Sequence, residues 1–299
     1  MATLADYLRL IRIEHSVFAL PFALAGLLGA DWYLRRHPRP GIGGADWLDV
    51  ALVVVAMVAA RTLAMVANRI IDRQIDALNP RTRHRELVTG RVPLGGAYRL
   101  AWLSGVVLLG SAGLLSFINR TLWPVALFPL AVLFLVGYSY TKRFTVLCHW
   151  ILGMCLGGAP LAAWLAVGAP FHWAPVWLGL GVTLWVGGFD VIYSLQDMEF
   201  DRAHRIRAVP AWLGRWGGQA VAALSHLGAV ILFLLFGHSL GLTSLWYFGG
   251  VWLGAVILLV EHLLVARSLS MVGPAFFTAN GVLAIVFFIF TWAGVATSP

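Results

Sequence analysis

The sequence predicts an all-helical protein that crosses a membrane about nine times, as one domain over residues 1–299. Three observations support this fold class. Sixty per cent of the residues are hydrophobic and only 11% are charged, and the mean hydropathy is +0.84. A soluble domain would be about one-quarter charged, because its surface must stay hydrated. The apolar residues also form runs of about 20, the length at which a helix crosses the hydrocarbon core.

Nine runs have that length. They cover residues 13–34, 48–70, 98–117, 121–140, 146–168, 172–195, 219–238, 244–266 and 274–296. Short polar breaks separate the third run from the fourth (Asn119 and Arg120) and the fifth from the sixth (168–172). In the fifth run, the spacing of Gly153 and Gly157 indicates close helix packing rather than a partner site.

The basic residues are distributed unevenly over the connections, and this predicts the orientation in the membrane. The odd-numbered connections contain four, namely Arg35, Arg36, Arg39 and Arg120. The even-numbered connections contain twelve, namely Arg73, Arg81, Arg83, Arg85, Arg91, Lys142, Arg143, Arg202, Arg205, Arg207, Arg215 and Arg267. Because cytoplasmic connections are rich in lysine and arginine, the even connections and the N-terminus are predicted to be cytoplasmic. The net charge of +8 therefore indicates membrane topology and anion binding, not nucleic-acid binding.

A first acidic stretch ends the second run. Asn68, Asp72 and Asp76 are spaced i, i+4 and i+8, which places them on one face of a helix. Mg²⁺ prefers oxygen ligands, usually one or two carboxylates with substrate phosphate oxygens, so this face suits a metal-bridged diphosphate. The plain alternative is a solvated helix end in which Asp72 pairs with Arg69 or Arg73.

A second acidic stretch ends the sixth run. Asp190, Tyr193, Asp197 and Asp201 are spaced by three, four and four residues, so they also share a helix face. Asp190 lies about one turn deeper in the apolar run than Asp197. Ionisable groups at membrane depth are costly and are functional candidates by default, although a lone Asp190 is also compatible with helix packing.

Cations accompany both stretches, as a bound diphosphate would require. Arg61 is the most informative of them, since it lies inside the second run, two turns before Asn68 on the same face. We expect it to face a polar cavity. The others follow the acidic stretches or end the fourth run, and for each of them a role in topology alone stays open.

Together these residues resemble the UbiA superfamily of intramembrane aromatic prenyltransferases. The resemblance rests on N-x₃-D-x₃-D from Asn68 with Arg61 seven residues upstream, and on Arg-Thr-x-x-Arg from Arg81. It also rests on D-x₂-Y-x₃-D-x₃-D from Asp190 and on Tyr-x₃-Lys-Arg from Tyr138. One position departs from the family, which commonly has aspartate where Arg69 stands. The amino-acid sequence of the first stretch resembles that of the bacterial branch of the family, which makes ubiquinone or menaquinone precursors.

The resemblance implies about nine helices around a central cavity open to the cytoplasmic face of a bacterial inner membrane. It also implies Mg²⁺-dependent transfer of a prenyl chain from a polyprenyl diphosphate to an aromatic acid, 4-hydroxybenzoate or a dihydroxynaphthoate. The isoprenoid tail would leave sideways into the lipid bilayer. The resemblance implies that one Mg²⁺ is held by Asn68, Asp72 and Asp76, and a second by Asp197 and Asp201. It implies that the diphosphate substrate is held by Lys142, Arg81, Arg85, Arg143 and Tyr138. Finally, Arg61 would contact the acceptor carboxylate or the diphosphate, Asp190 would activate the acceptor hydroxyl, and Tyr193 would orient either substrate.

Two other classes fit the composition. A CDP-alcohol phosphotransferase also uses D-x₃-D spacing, but the Asp-Gly-x-x-Ala-Arg stretch of that class is absent from the sequence. A secondary transporter places its polar groups at mid-membrane in broken helices, whereas here they gather at the ends of the runs.

Overall fold

The chain forms a helical bundle. The computed structural model describes residues 2–12, 18–38, 40 and 43–299, with the backbone alone at 274–276. These ranges contain twelve α-helices and no β-strand. The helices are α1 (Leu4–Ile11), α2 (Leu20–Arg36), α3 (Trp47–Ile71), α4 (Arg73–Leu78), α5 (Leu94–Ile118), α6 (Trp123–Thr141), α7 (Cys148–Ala166), α8 (Trp173–Ser194), α9 (Met198–Ala203), α10 (Val209–Ser239), α11 (Leu245–Arg267) and α12 (Val272–Thr297).

Eight stretches within the described ranges are helical, long and apolar enough to cross a membrane, which confirms the predicted all-helical membrane fold class. Their bounds lie within a few residues of the predicted runs, except at the start of α10 and where the span that begins at Trp173 continues through α9 to Ala203. The first predicted run, 13–34, begins in residues 13–17, which lie outside the described ranges, as does Arg39. The count of nine therefore stays a prediction.

The predicted start of the seventh run at residue 219 is wrong, because α10 begins at Val209. Pro210 stands in the first turn, where a missing N–H costs nothing. Gly214 then leaves the helical conformation, with φ 72° and ψ −176°, a backbone region open to glycine. The Arg215 Nη2 atom donates to the carbonyls of Val265 (3.1 Å) and Ala266 (2.7 Å). This anchors the kinked segment on the end of α11.

Helix α8 is the centre of the bundle. Two thirds of the residues in its most apolar 18-residue stretch are buried, a larger share than in any other described span. The Phe22 ring of α2 stacks among aromatic rings of three other helices, with centroid distances of 4.9 Å to Trp185, 5.6 Å to Phe233 and 4.9 Å to Phe287. Such large rings fill the space between helices and hold α8 in place, so the acidic end of α8 has a defined position.

The long connection between α4 and α5 is also well packed. The N–H groups of Thr82 and Arg83 donate to the Asn79 carbonyl at 3.0 and 2.9 Å, so the chain runs in consecutive tight turns. Leu87 and Val92 are buried with Leu10 of α1 in a small apolar cluster. This packing places Arg81 and Arg85 over the end of α3.

Helices α7 and α8 touch at glycines. A side chain at Gly157 would collide with the Gly179 carbonyl and the Thr183 hydroxyl of α8. The backbones approach closely because neither Gly157 nor Gly179 carries a Cβ, as is usual for small residues at helix contacts in membranes. The predicted helix-packing role of the Gly153–Gly157 pair agrees with this contact.

We expect Gly157→Ala to destabilise the folded protein by about 1–3 kcal/mol, because the added methyl group forces α7 and α8 apart. Gly158→Ala is the matched control, since Gly158 has no atom within 4 Å of its ideal Cβ position. The control is expected to be neutral or stabilising by up to about 1 kcal/mol. Thermal unfolding in detergent compares the two variants, and equal Tm shifts would contradict the close-contact explanation.

Candidate active site

A cavity of about 670 Å³ opens at the end of the bundle where α3, α6 and α8 finish. Twelve of the thirteen predicted site residues line it, namely Arg61, Asn68, Asp72, Asp76, Arg81, Arg85, Tyr138, Lys142, Asp190, Tyr193, Asp197 and Asp201. Arg143 lies outside the lining; its Nη2 atom donates to the Ile71 carbonyl at 2.8 Å and lies 3.6 Å from Asp72 Oδ1. The two acidic stretches, which are more than 100 residues apart in sequence, therefore share one cavity. The chemical roles of these residues stay predictions.

The first acidic stretch keeps its helical register although α3 ends at Ile71. The N–H of Asp72 donates to the Asn68 carbonyl at 2.9 Å, and the N–H of Asp76 donates to the Asp72 carbonyl at 2.8 Å. The Asn68 amide also donates to Asp72 Oδ2 at 2.8 Å. The three side chains consequently face the cavity together, as one helix face requires.

The Asp72 carboxylate is buried, with 1% of its side chain exposed, and lies 2.7 Å from the Nζ atom of Lys142, which directly follows α6. Arg73 points elsewhere and donates to the Leu87 carbonyl at 3.1 Å, while Arg69 donates to Asn68 Oδ1 at 3.1 Å. The alternative in which Asp72 pairs with Arg69 or Arg73 along a solvated helix is therefore wrong. Asp72 pairs across the cavity because α6 ends beside α3.

Asp76 pairs with Arg85 from the turns that follow α4. The Arg85 Nη1 atom lies 2.7 Å from both carboxylate oxygens, and the Thr82 hydroxyl donates to the Asp76 carbonyl at 3.0 Å. A charged side chain from the loop thus neutralises a buried carboxylate at the edge of the cavity.

The spacing of the second acidic stretch predicted one continuous α-helix, but the structure interrupts this helix. The end of α8 tightens into a 3₁₀ turn, Leu195–Asp197, before α9 begins. The Ser194 hydroxyl donates back to the Val191 carbonyl at 2.8 Å, a local bond that competes with regular helical bonding. A 3₁₀ turn changes the direction of successive side chains, yet Tyr193, Asp197 and Asp201 all still face the cavity.

Arg81 joins the two halves of the site. Its Nε atom donates to Asp197 Oδ1 at 2.8 Å, its Nη1 atom donates to the Tyr193 hydroxyl at 2.9 Å, and its Nη2 atom pairs with Asp197 Oδ2. Burial lowers the pKa of the Arg81 guanidinium, but the hydrogen bonds to Asp197 and Tyr193 outweigh burial and raise the pKa above its ordinary value. Arg81 is therefore a permanent cation at the centre of the cavity.

Two residues that the sequence did not single out belong to the site. The Asn79 amide donates to Asp197 Oδ1 at 3.0 Å. His149, in the first turn of α7, lies 2.6 Å from Asp190 Oδ2 through its Nδ1 atom. Histidine is rare in an apolar span, and this signal could have identified His149 from the sequence. Asn79 is recognised only through its contact with Asp197.

The acidic residues fit a substrate-bridged Mg²⁺ ion better than an ion enclosed by protein. Among the described residues no group of three or more His, Cys, Asp or Glu side chains is close enough to hold a metal by itself. The Asp201 carboxylate makes no hydrogen bond or ion pair with the described part of the chain, and Asp72 Oδ1 is buried without a hydrogen bond. Mg²⁺ usually takes one or two carboxylates and completes its shell with water and phosphate oxygens, which is what these oxygens offer.

An apolar chamber of about 350 Å³ adjoins the cavity between α3, α5, α6 and α7. The two spaces share five lining residues, namely Arg61, Met65, Tyr138, Leu152 and Leu156. Beyond that junction the chamber is lined almost entirely by aliphatic and aromatic side chains. A ligand with a polyanionic head and an apolar tail matches this pair of spaces.

Comparison with known proteins identifies relatives over the whole bundle. The model of the UbiA prenyltransferase family matches residues 41–292. A 4-hydroxybenzoate octaprenyltransferase of Vibrio vulnificus (strain CMCP6) is 27% identical over 284 residues, covering 88% of this chain and 98% of the relative. The apo structure of a UbiA homolog from Aeropyrum pernix K1 has 30% sequence identity and a TM-score of 0.77, covering 95% of this chain and 98% of that one. A UbiA homolog from Archaeoglobus fulgidus bound to GPP and Mg²⁺ has 17% identity and a TM-score of 0.68, covering 98% and 100%; that likeness shows the fold alone.

Proposed function

Since the chain belongs to the UbiA prenyltransferase family, we propose that this prenyltransferase moves a polyprenyl chain from a polyprenyl diphosphate to the ring of a hydroxylated aromatic acid. The observation that carries the proposal is the cavity in which both acidic stretches meet beside an apolar chamber. The first acceptor to consider is 4-hydroxybenzoate, the acceptor in the name of the Vibrio vulnificus relative. A dihydroxynaphthoate is the second, because it is also a hydroxylated aromatic acid.

The diphosphate head is assigned to the cationic and acidic side chains around Arg81. The residues that would hold Mg²⁺ are Asn68, Asp72 and Asp76 on one side, and Asp197 and Asp201 on the other. When bound, Mg²⁺ neutralises the charge that develops on the departing diphosphate. Lys142, Arg81 and Arg85 neutralise the carboxylates in the structure, and they supply the donors that a diphosphate needs once the carboxylates bind metal.

The prenyl tail is assigned to the apolar chamber. The tail enters past Met65 and Tyr138, which line both spaces, while the allylic carbon stays beside the acidic stretches. The chamber lining is as apolar as the lipid in which the tail otherwise lies, so it accommodates the tail without burying polar groups against it. The chamber also keeps water away from the carbocation-like carbon that forms when diphosphate leaves.

We expect Ala131→Trp to lower kcat/KM for a long-chain prenyl diphosphate by about tenfold or more, because the indole fills the chamber and excludes methylene groups. Ala131 lines the chamber from the middle of α6. Transfer from dimethylallyl diphosphate is expected to change little. Ala126→Trp, on the exposed side of the same helix, is the control. Equal losses with short and long donors would contradict the assignment of the tail to this chamber.

The acceptor is assigned to the inner part of the cavity, between Arg61 and Asp190. The Arg61 guanidinium suits the acceptor carboxylate, and Asp190 suits the acceptor hydroxyl, whose proton it would accept as a general base. The ring carbon then forms a bond to the allylic carbon while the carbon–oxygen bond to diphosphate breaks and its electron pair leaves with the diphosphate. The ring proton restores the hydroxyl, and Asp190 passes its proton to solvent, so each transfer releases one proton.

The experiment that tests the function is mass spectrometry of the products formed by the purified enzyme with Mg²⁺, one polyprenyl diphosphate and both acceptors in competition. We expect prenylated 4-hydroxybenzoate as the main product. Prenylated dihydroxynaphthoate as the main product would change the acceptor but keep the reaction. Absence of both products, with the donor intact, would contradict the proposed function.

The site is assigned to the cytoplasmic face of a bacterial inner membrane, with the N-terminus on the same side. The distribution of lysine and arginine over the connections supports this orientation, since Arg81, Arg85 and Lys142 lie at the same end of the bundle. Cysteine labelling from either side of sealed vesicles checks it. Exposed positions in the two kinds of connection, for example Ala77→Cys and Phe171→Cys, should be labelled from opposite sides.

A further inference from the structure

His149 is a buried side chain beside the acceptor end of the cavity. It stands in the first turn of α7 and is 2% exposed. Its Nδ1 atom lies 2.6 Å from Asp190 Oδ2, and its Nε2 atom lies 3.2 Å from the backbone nitrogen of Val209. The ring therefore connects the deepest carboxylate of the site to the start of α10.

These two contacts determine which nitrogen carries the proton. A backbone N–H group can only donate, so His149 Nε2 accepts from Val209 and bears no proton. The single proton of the neutral ring is then on Nδ1, where it is donated to Asp190. Val209 is in the first turn of α10, whose N-cap residue, Ala208, makes no side-chain cap. An N–H at such a position needs a partner from elsewhere in the fold.

Asp190 depends on this contact for its orientation. Within the described ranges, His149 is the only hydrogen-bond partner of its carboxylate, and Oδ1 has none. The side chain is 27% exposed towards the cavity. One carboxylate oxygen is thus held by the imidazole, and the other is available to a ligand.

We propose that His149 is a positioning residue for Asp190, an assignment that rests on the proposed function of Asp190 as the base. By holding Oδ2, His149 turns Oδ1 towards the acceptor hydroxyl. The hydroxyl proton moves to Oδ1, and the electron pair of the broken O–H bond stays on the acceptor oxygen, which activates the ring. His149 keeps its Nδ1 proton and stays neutral throughout, so it orients the base without taking part in the transfer.

Two substitutions separate this role from simple capping of α10. In His149→Asn the amide nitrogen takes the place of Nδ1 and can donate to Asp190, but the side chain is too short to reach Val209. In His149→Gln the amide carbonyl reaches the position of Nε2 and can accept from Val209, but the donor to Asp190 is lost. Each variant retains one of the two contacts.

The experiment measures kcat, KM for geranylgeranyl diphosphate and Tm for both variants, with 4-hydroxybenzoate as the acceptor. We expect His149→Gln to keep its Tm and its KM for the donor but to lose about a hundredfold in kcat, the scale of a general-base contribution. His149→Asn should have a lower Tm and retain most of its kcat. The reverse pattern, with kcat retained in His149→Gln and lost in His149→Asn, would overturn the positioning role and leave His149 as a cap.

Asp190→Asn separates failure of this inference from failure of the proposed function. An inactive Asp190→Asn variant together with a fully active His149→Gln variant would contradict only the role of His149. A fully active Asp190→Asn variant would contradict both assignments, since no base would then be needed at residue 190. Strong losses in Asp190→Asn and His149→Gln, with His149→Asn active, are the expected combination.

Discussion

Asp72→Asn is expected to lower kcat/KM for prenyl transfer by about a hundred- to a thousandfold, equivalent to about 3–4 kcal/mol of transition-state stabilisation. Asp72 is almost fully buried, and its carboxylate meets Lys142 at 2.7 Å and Asn68 at 2.8 Å. The amide that replaces it keeps the shape but removes the negative charge that would hold Mg²⁺. It also leaves Lys142 without its carboxylate partner.

The measurement is the initial rate over a range of Mg²⁺ concentrations. If Asp72 holds the ion, the Mg²⁺ concentration for half-maximal rate should rise in Asp72→Asn. Gln74→Ala is the matched control, because Gln74 is exposed, lies two residues away and is not part of the cavity lining. Unchanged activity and Mg²⁺ dependence in Asp72→Asn would contradict the metal assignment of the first stretch.

Asp197→Asn is expected to cause a loss of similar size for two reasons. Its carboxylate belongs to the second proposed metal site, and it also binds Arg81 and Asn79. Loss of the charge therefore removes a metal ligand and releases the Arg81 side chain, which holds the connection after α4 against the end of α8. We expect faster hydrogen exchange or proteolysis in residues 79–89 together with the loss of transfer, because the loop loses its ion pair.

Glu199→Gln makes the same change of charge two residues away. Glu199 is exposed and does not line the cavity, so this variant should retain its activity and its protection in residues 79–89. The comparison removes net charge as an explanation, since both variants lose one negative charge. Equal losses of transfer activity in Asp197→Asn and Glu199→Gln would contradict the role assigned to Asp197, because Glu199 does not line the cavity.

Much of the fold follows from the sequence, because a chain that crosses lipid must satisfy its backbone hydrogen bonds internally. A helix satisfies its own backbone hydrogen bonds, so each long apolar run in a membrane becomes a helix. The bounds of α3 and α8 were predicted to within two residues for this reason. The start of α10 was not, because Arg215 interrupts the apolar residues there, and its contact with the end of α11 cannot be read from the sequence.

The candidate site was predictable to the extent that its residues lie along one helix. The four-residue spacing from Asn68 to Asp76 placed three side chains on one face, and backbone bonds preserve that register. Arg69, where the sequence departs from the family, also has a defined place: the residue is 7% exposed and its guanidinium donates to Asn68. Helical periodicity carries this information because it depends only on neighbours in the chain.

The sequence by itself therefore determined that this protein is a bundle of membrane helices with two acidic faces. Only the tertiary structure decided which side chain meets which carboxylate: Lys142 meets Asp72, Arg81 meets Asp197, and His149 meets Asp190. It also placed Arg143 outside the cavity lining. These pairs join residues 41 to 116 positions apart in sequence, and no local spacing encodes them. They depend on how the helices pack, which the glycine contacts and aromatic rings around α8 decide.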